Sequence, residues 1–319
     1  MANKDKVICV FGGSGFLGRH IVQNLARQGY RIKVATRYPE SAYELKTYGD
    51  VGQIVPTACH YKNEDSIREA MEGAHIVINL VGVLFEKGRN NFMSVHCDLP
   101  KIIGLKANEL GISKLIHLSA LGVDTSQSKY AKSKLAGENA LLEVYPQAVI
   151  LRPSVVFGAG DNFFNMFAKM ASFLPVLPLI GGGHTKFQPV YVEDIAEAVT
   201  NIVSDNIAET DNPIYELAGP EIVSFKEIYE ILLEHINRDR MLVPLPWAVA
   251  KMQGMVLGLM PKPLLTLDQV RSLKFDNIKD EQSAGLKELG VTPTAMGVIL
   301  PRYLSNFKRG GRFANKKQA

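Results

Sequence analysis

The sequence predicts an α/β protein: a Rossmann-type, doubly wound parallel sheet with a smaller C-terminal α/β lobe. Three observations predict it. Val7 to Gly18, VICVFGGSGFLG, passes from an apolar run of strand formers through a glycine turn into residues at helical spacing. Short apolar runs and helical patterns then alternate as far as Leu118, the order that builds right-handed βαβ crossovers. A chain of 319 residues, 46% hydrophobic and 21% charged, also suits one large or two small globular units with an ample core.

Val7 to Phe11 read as a buried first strand that breaks at Gly12-Gly13. Phe16, Leu17, Ile21, Val22 and Leu25 then recur at helical spacing until Gly29. Gly12, Gly15 and Gly18 stand at G-x-x-G-x-x-G spacing. The first lets the chain turn, the second lets backbone N–H groups approach a pyrophosphate, and the third lets the helix pack on the strand. A dinucleotide is expected on this helix N-terminus, with Ser14, Phe16 and Leu17 of the same turn among its contacts.

Arg31 to Ala35 read as the second strand, whose end selects the cofactor. Thr36 and Arg37 offer a hydroxyl and a guanidinium suited to a 2′-phosphate, and Arg19 can close on the same group, so NADPH is favoured over NAD. The other reading makes both arginines surface charges and gives the ribose to Glu40. Gln53 to Cys59 is a third strand, and Glu64 to Glu72 a helix closed by Gly73. His75 to Val81 is a fourth strand, apolar apart from Asn79 and therefore central. Gly82 follows where the chain passes close to the cofactor, and Val81, the strand's last residue, is expected among the contacts. Asp98 to Leu110 is helical, and Lys114 to Leu118 is the fifth strand.

Ser119 follows that strand, and Tyr130 and Lys134 form Y-x-x-x-K at the head of a helix from Tyr130 to Glu143. A spacing of four puts both side chains on one helix face. A phenol ordinarily titrates near about 10, and an adjacent ammonium favours the phenolate. Ser119, Tyr130 and Lys134 are therefore the candidate catalytic residues, since such a pair beside a nicotinamide relays a proton during hydride transfer. The competing reading is a solvated helix face.

Residues 1–158 are expected to form the dinucleotide-binding core, 159–305 the remaining sheet elements with a C-terminal substrate or partner lobe, and 306–319 a basic tail. Asp161 to Phe173 reads as a helix, Pro175 to Gly183 as a Pro/Gly-rich connection, Gln188 to Val192 and Ile214 to Ala218 as strands, and Glu193 to Val203 as a helix. Ser224 and Glu227 form a capping box for the next helix. His184 and Asp194 offer an acid–base pair, but loop and helix-cap roles suit them better. Trp247 to Met260 is apolar around most of its circumference and reads either as a buried helix or as a Met-rich surface for another subunit or a membrane interface.

Composition excludes several classes. The net charge of +4 comes without a basic face interleaved with aromatics, so no nucleic-acid partner is expected. Cys9, Cys59 and Cys97 lack C-x-x-C spacing and read as free thiols in a reducing compartment. With no H-E-x-x-H, carboxylate–His cluster or G-x-S-x-G, neither a metal nor acyl transfer is expected. No run of eighteen apolar residues occurs, so no span is expected. Met1 to Lys6 leaves no room for a targeting peptide, which predicts a cytoplasmic chain or one already processed.

GGSGFLG at Gly12 to Gly18, NLVG at Asn79 to Gly82, HLSALG at His117 to Gly122, YAKSK at Tyr130 to Lys134 and RPSVVFG at Arg152 to Gly158 together resemble the short-chain dehydrogenase/reductase superfamily, in its extended, epimerase-like and atypical branches. RPSVVFGAGDNFFNMF followed by QPVYVEDIAEAV is similar, more narrowly, to the nucleotide-binding accessory subunits of respiratory complex I. The resemblance runs from about Val7 to about Leu300 and is strongest from Ser119 to Val203. It implies a tightly held NADPH, with Tyr130 and Lys134 on the nicotinamide ribose and Pro153, Ser154 and Val155 along the nicotinamide side. It also implies attachment to other complex I subunits near the quinone site, peripheral to the inner membrane and on the mitochondrial matrix side if the source is a eukaryote, with no established turnover.

The chain departs from the catalytic pattern of that superfamily. Leu121 stands where active members carry a carbonyl-polarising Ser or Thr, leaving Ser119, Ser126 and Ser128 as substitutes. Two further readings therefore stay open: a free-standing NADP-dependent oxidoreductase or epimerase acting on a quinone precursor or isoprenoid, and a binding protein that reads the NADPH/NADP⁺ ratio.

Overall fold

The computed structural model describes residues 5–88, 91–205, 214–260 and 263–309. The first half of the chain runs β1 (Val7–Phe11), α1 (Phe16–Arg27), β2 (Arg31–Thr36), β3 (Ile54–Ala58), α2 (Glu64–Met71), β4 (Ile76–Asn79), α3 (Leu99–Glu109), β5 (Lys114–Leu118), α4 (Lys129–Val144) and β6 (Val149–Pro153). It continues through β7 (Val156–Phe157), α5 (Phe164–Phe173), β8 (Val176–Ile180), β9 (Lys186–Phe187), β10 (Val190–Tyr191) and α6 (Val192–Val203) to β11 (Ile214–Leu217). After it come β12 (Val223–Ser224), α7 (Phe225–Ile236), β13 (Met241–Leu245), α8 (Trp247–Leu257), α9 (Leu267–Ser272) and α10 (Met296–Leu304).

Seven strands form one parallel sheet in the order β3-β2-β1-β4-β5-β6-β11. Both faces are covered, which is why β1 can be a continuous apolar run whose residues Ile8 to Phe11 are fully buried. Ile21, Val22 and Leu25 of α1 and Ile195 and Val199 of α6 pack on one face. Ile67, Ile103 and Leu141 of α2, α3 and α4 pack on the other. A separate core of Phe157, Phe167, Phe225, Tyr229 and Leu300 joins α5, α7 and α10 beside the sheet.

The doubly wound parallel sheet is as the alternation predicts, and the Ser224/Glu227 capping box forms both of its bonds. Several local expectations give way to longer-range pairing. Val176 to Ile180, read as part of a connection, is β8, paired in parallel with β13 in a two-stranded sheet. Pro178 and Pro244 sit in these strands because both are edge strands, where a missing N–H leaves no ladder bond unmade. Helix α5 begins only at Phe164. Asp161 ahead of it accepts the N–H groups of Gly158 and Asn165 and the hydroxyl of Tyr303, which holds that stretch as a loop. The expected helix from Asp98 is entered earlier, through a π-turn over Ser94–Asp98.

Helix α8 is mostly uncovered. Its buried residues are Ala250 and Gly254, while Met252, Met255 and Val256, with Leu259 just beyond, are exposed. Among the described residues, no helix is long and apolar enough to cross a membrane. The tail residues Arg312, Lys316 and Lys317 lie outside the described residues.

Candidate functional site

The sheet order reverses at β1, which lies between β2 and β4, and the glycine turn stands at the carboxyl end of this switch point. Gly12 has φ +78°, and a Cβ there would lie 3.1 Å from the carbonyl carbon of Leu80 and 3.2 Å from the nitrogen of Val81. A Cβ on Gly18 would meet the Gly12 oxygen and come within 2.6 Å of Gly13 Cα. The strand, turn and helix thus close with no room for a methyl group. Helix α1 opens on Gly15 with neither a side-chain cap nor an acidic residue in its first turn. Its first N–H groups and the positive end of its dipole are left for an anion, and this cradle fits a pyrophosphate.

At the end of β2, Thr36 is buried and its hydroxyl accepts the Tyr38 N–H at 3.3 Å. Arg37 is exposed, its guanidinium 5.9 Å from the ring centres of both Tyr38 and Tyr61. Arg19 donates to the Ser14 carbonyl at 3.1 Å and pairs with Glu44 at 2.6 Å, so its guanidinium already has an anionic partner.

Across the switch point, α4 brings Tyr130 and Lys134 beneath Gly82. Lys134 is 3% exposed and donates to the Leu118 carbonyl at 2.9 Å. A Cβ on Gly82 would lie 3.4 Å from the lysine Nζ. Burial pulls the ammonium down to about 8, and Glu138 on the next turn opposes that pull. Tyr130 packs edge-on against Phe92 and His96, at ring separations of 5.9 and 5.2 Å. Burial pushes its phenol up to about 12, so the expected lowering by Lys134 is overturned. The ammonium is tied to a backbone carbonyl, and desolvation decides the phenol's titration.

The π-turn delivers His96 into this cluster, and its carbonyl carbon would sit 2.8 Å from a Cβ on Gly137, so α4 packs directly on the turn. His96 Nε2 accepts the Val83 N–H at 3.0 Å, which leaves the proton on Nδ1 to donate to Ser133 Oγ at 2.9 Å. Burial first and Lys134 second hold His96 down at about 3, neutral at physiological pH. Asn79 and His117 are register partners on β4 and β5. The Asn79 amide donates to His117 Nδ1 at 3.1 Å and its carbonyl accepts the Val81 N–H at 3.1 Å.

Among the described residues, His117 Nε2 and Ser119 Oγ are the buried side-chain polar atoms without a hydrogen-bond partner. Of the three candidate hydroxyls, Ser126 and Ser128 bond each other at 3.2 Å and Ser128 also caps α4, leaving Ser119 free. The Ser154 hydroxyl donates to Asn277 Oδ1 at 2.6 Å. The backbone carbonyls of Pro153 and Val155 accept the Leu121 and Val190 N–H groups. Asp194 holds Thr294 through two bonds, and His184 is exposed apart from it.

Below the site, Arg152 on β6 reaches both carboxylate oxygens of Glu138, Asp124 at 3.0 Å and Glu216 at 3.9 Å. This buried cluster ties α4 to β6 and β11. His96, Asn277, Asp268 and Glu138 are site-forming residues that sequence reasoning missed. Glu138 alone had a local signal, four residues beyond Lys134 on the same helix face. Among the described residues, no group of three or more His, Cys, Asp or Glu is placed to hold a metal ion.

Comparison with known proteins gives this geometry a family. The NAD dependent epimerase/dehydratase family matches residues 8–218. The chain is 34% identical over 317 residues to a mitochondrial NADH dehydrogenase [ubiquinone] 1 alpha subcomplex subunit 9 of Arabidopsis thaliana, covering 96% of this chain and 79% of that one. It is 33% identical over 294 residues to the Mus musculus protein of the same name, covering 91% and 77%. Among solved structures, an NADPH-dependent quinone oxidoreductase of Escherichia coli, complexed with NADPH, shares the fold at TM-score 0.72 and 20% identity over 93% of this chain and 98% of that one. With a nicotinamide-dinucleotide cradle at its switch point and that family's pattern over most of its length, the chain belongs to the NAD dependent epimerase/dehydratase family.

Proposed function

We propose that this protein is an NADPH-binding accessory subunit of NADH:ubiquinone oxidoreductase in which the dinucleotide is held rather than turned over. In this reading Gly12, Ser14, Gly15, Phe16, Leu17 and Gly18 hold the pyrophosphate. Thr36 and Arg37 take the 2′-phosphate, beside Arg19. Val81, Gly82, Ser119, Tyr130, Lys134, Pro153, Ser154 and Val155 surround the nicotinamide ribose and ring. When bound, NADPH supplies a hydride donor. The observation that carries the reading is the state of the pair: Lys134 gives one of its three N–H groups to the Leu118 carbonyl and the Tyr130 phenol is pushed up to about 12, while Leu121 is buried where active members carry a hydroxyl. Such a pair grips ribose hydroxyls well and moves protons poorly at neutral pH.

The relatives' names support the assembly, and the exposed Met252, Met255, Val256 and Leu259 supply an apolar face for a neighbouring subunit. In this reading the protein is peripheral to the inner mitochondrial membrane on its matrix side.

One observation favours a second reading, an NADP-dependent oxidoreductase or epimerase. The Ser119 hydroxyl is buried without a partner, and a hydroxyl so placed can polarise a carbonyl. Gentle solubilisation of native membranes followed by non-denaturing separation distinguishes the two. Comigration with NADH:ubiquinone oxidoreductase activity, with NADPH released on denaturation, supports the accessory subunit; migration as a free monomer or dimer refutes it. Tyr130→Phe is expected to weaken NADPH binding. Abolition of an NADPH-dependent reaction with binding intact establishes the enzyme instead.

A further inference from the structure

The first turn of α4 is closed by a carboxylate from the far end of the chain. Asp268 Oδ1 accepts the Lys129 N–H at 2.8 Å, and Oδ2 accepts the Tyr130 N–H at 2.9 Å across a separation of 138 residues. Such charge-assisted bonds to a helix N-terminus are stronger than a hydroxyl cap and also oppose the helix dipole. Asp268 is not needed by its own helix, because Thr266 and Gln269 form a complete capping box for α9. Its side chain is 16% exposed, and the nearest cation, Arg271, lies 3.9 Å away on the same helix. The carboxylate is therefore committed to the helix of Tyr130 and Lys134.

Helix α9 is in turn fixed to α8. A Cβ on Gly254 would fall 3.0 Å from the Leu267 nitrogen and 3.1 Å from the Thr266 carbonyl carbon, so the two backbones touch. The buried side chains of this layer are Ile180, Ala250 and Val270, with Leu245, Trp247, Leu265 and Leu273 half-buried against them, and the opposite face of α8 carries exposed Met252, Met255 and Val256. A layer with so small a core opens at low free-energy cost, and modest forces shift its population. Backbone contact runs from exposed α8 to α9, and Asp268 carries it on to the residue that bears the phenol.

We infer that Asp268 is a positioning residue that couples dinucleotide binding at Tyr130 and Lys134 to the order of the α8–α9 layer. The inference rests on the reading of Tyr130 and Lys134 as dinucleotide residues. The coupling is reciprocal: NADPH that tightens the first turn of α4 orders α8 and α9, and whatever covers α8 raises the affinity for NADPH by the same factor.

The test uses the full chain and NADPH, reading amide hydrogen exchange across residues 247–272 together with NADPH affinity. NADPH is expected to slow exchange in that segment of the wild-type chain by about three-fold or more. In Asp268→Ala, and in Asp268→Asn, which keeps the size but loses one of the two acceptors, that response disappears. The apparent Kd then rises about three- to ten-fold as the fraction of closed first turn falls. A merely structural cap would lower stability without altering the NADPH response of α8 and α9. Wild-type chain that binds NADPH with exchange in residues 247–272 unchanged overturns the coupling while leaving the site reading intact. Wild-type chain that fails to bind NADPH overturns both. The wild-type exchange measurement decides the matter even if the alanine variant does not fold.

Discussion

Lys134→Met tests whether the buried ammonium is kept for stability or for a ligand. Burial lowers its pKa from 10.5 to about 8, and at about 1.4 kcal/mol per unit the charged form is disfavoured by about 3 kcal/mol. Methionine fills the same volume without charge but gives up the hydrogen bond to the Leu118 carbonyl, at a cost of about 2 kcal/mol. The variant should therefore be more stable at pH 7 by about 1 kcal/mol, raising Tm by about 2 °C. The sign of the pH dependence follows from the direction of the shift. The folded pKa is below the unfolded one, so between about 8 and 10.5 the unfolded chain keeps a proton that the native chain has released. Wild-type stability climbs with pH through that window relative to the variant, and by pH 10 the wild type should be the more stable. Urea midpoints at the two pH values, followed by Trp247 fluorescence, measure this directly. NADPH affinity should fall about ten-fold, the loss of one charge-assisted bond. A variant less stable at pH 7, with a difference that ignores pH, would refute the reasoning and show that Glu138 fully supports the ammonium.

Three further substitutions probe the rest of the site. Gly18→Ala forces a methyl to 2.6 Å from Gly13 Cα; thermal melts should show a loss of about 1–3 kcal/mol and no stabilisation by added NADPH. Arg37→Asp should move preference from NADPH toward NAD, and a titration showing unchanged NADPH affinity would remove Arg37 from the site. Arg152→Met strips the 1%-exposed Glu138 of its main partner, and denaturant unfolding should show a loss of about 3–5 kcal/mol, far beyond a surface charge.

What the sequence made legible was what its neighbours in sequence determine. The glycine turn could be placed because a buried strand, three glycines and an amphipathic helix follow one another within a single supersecondary unit, and each glycine answers a clash with backbone close by. The Ser224 capping box was legible for the same reason, since both of its bonds close within three residues. The spacing of Tyr130 and Lys134 fixed their shared face, but spacing carries no dielectric. A four-residue interval predicts that the ammonium stands beside the phenol. It does not say that the lysine turns to a carbonyl at the end of β5, or that the phenol ring packs edge-on against Phe92 and His96. Burial decided the titration, and burial is a property of the assembled chain.

Two of the residues that sequence reasoning missed, Asn277 and Asp268, share one trait: their partners lie far along the chain. Asn277 reaches Ser154 across 123 residues and the Leu121 carbonyl across 156, and Asp268 reaches the α4 N-terminus across 138. An Asp in the first turn of a short helix normally reads as favouring that helix's own dipole, and nothing near Asp268 contradicts that until α4 is seen beside it. β8 and β13 escaped for the same reason, as two proline-bearing stretches that become strands only by pairing with each other. The site therefore has two origins. Its glycine turn, Gly12 to Gly18, is one contiguous segment, and the helix that follows it is held from further along the chain by α6, whose Glu193 meets His20 and Asn24. In the reading proposed above, the nicotinamide end takes the cap of α4 from Asp268 and the partner of Ser154 from Asn277, so a force on α9 would reach a bound dinucleotide through that end.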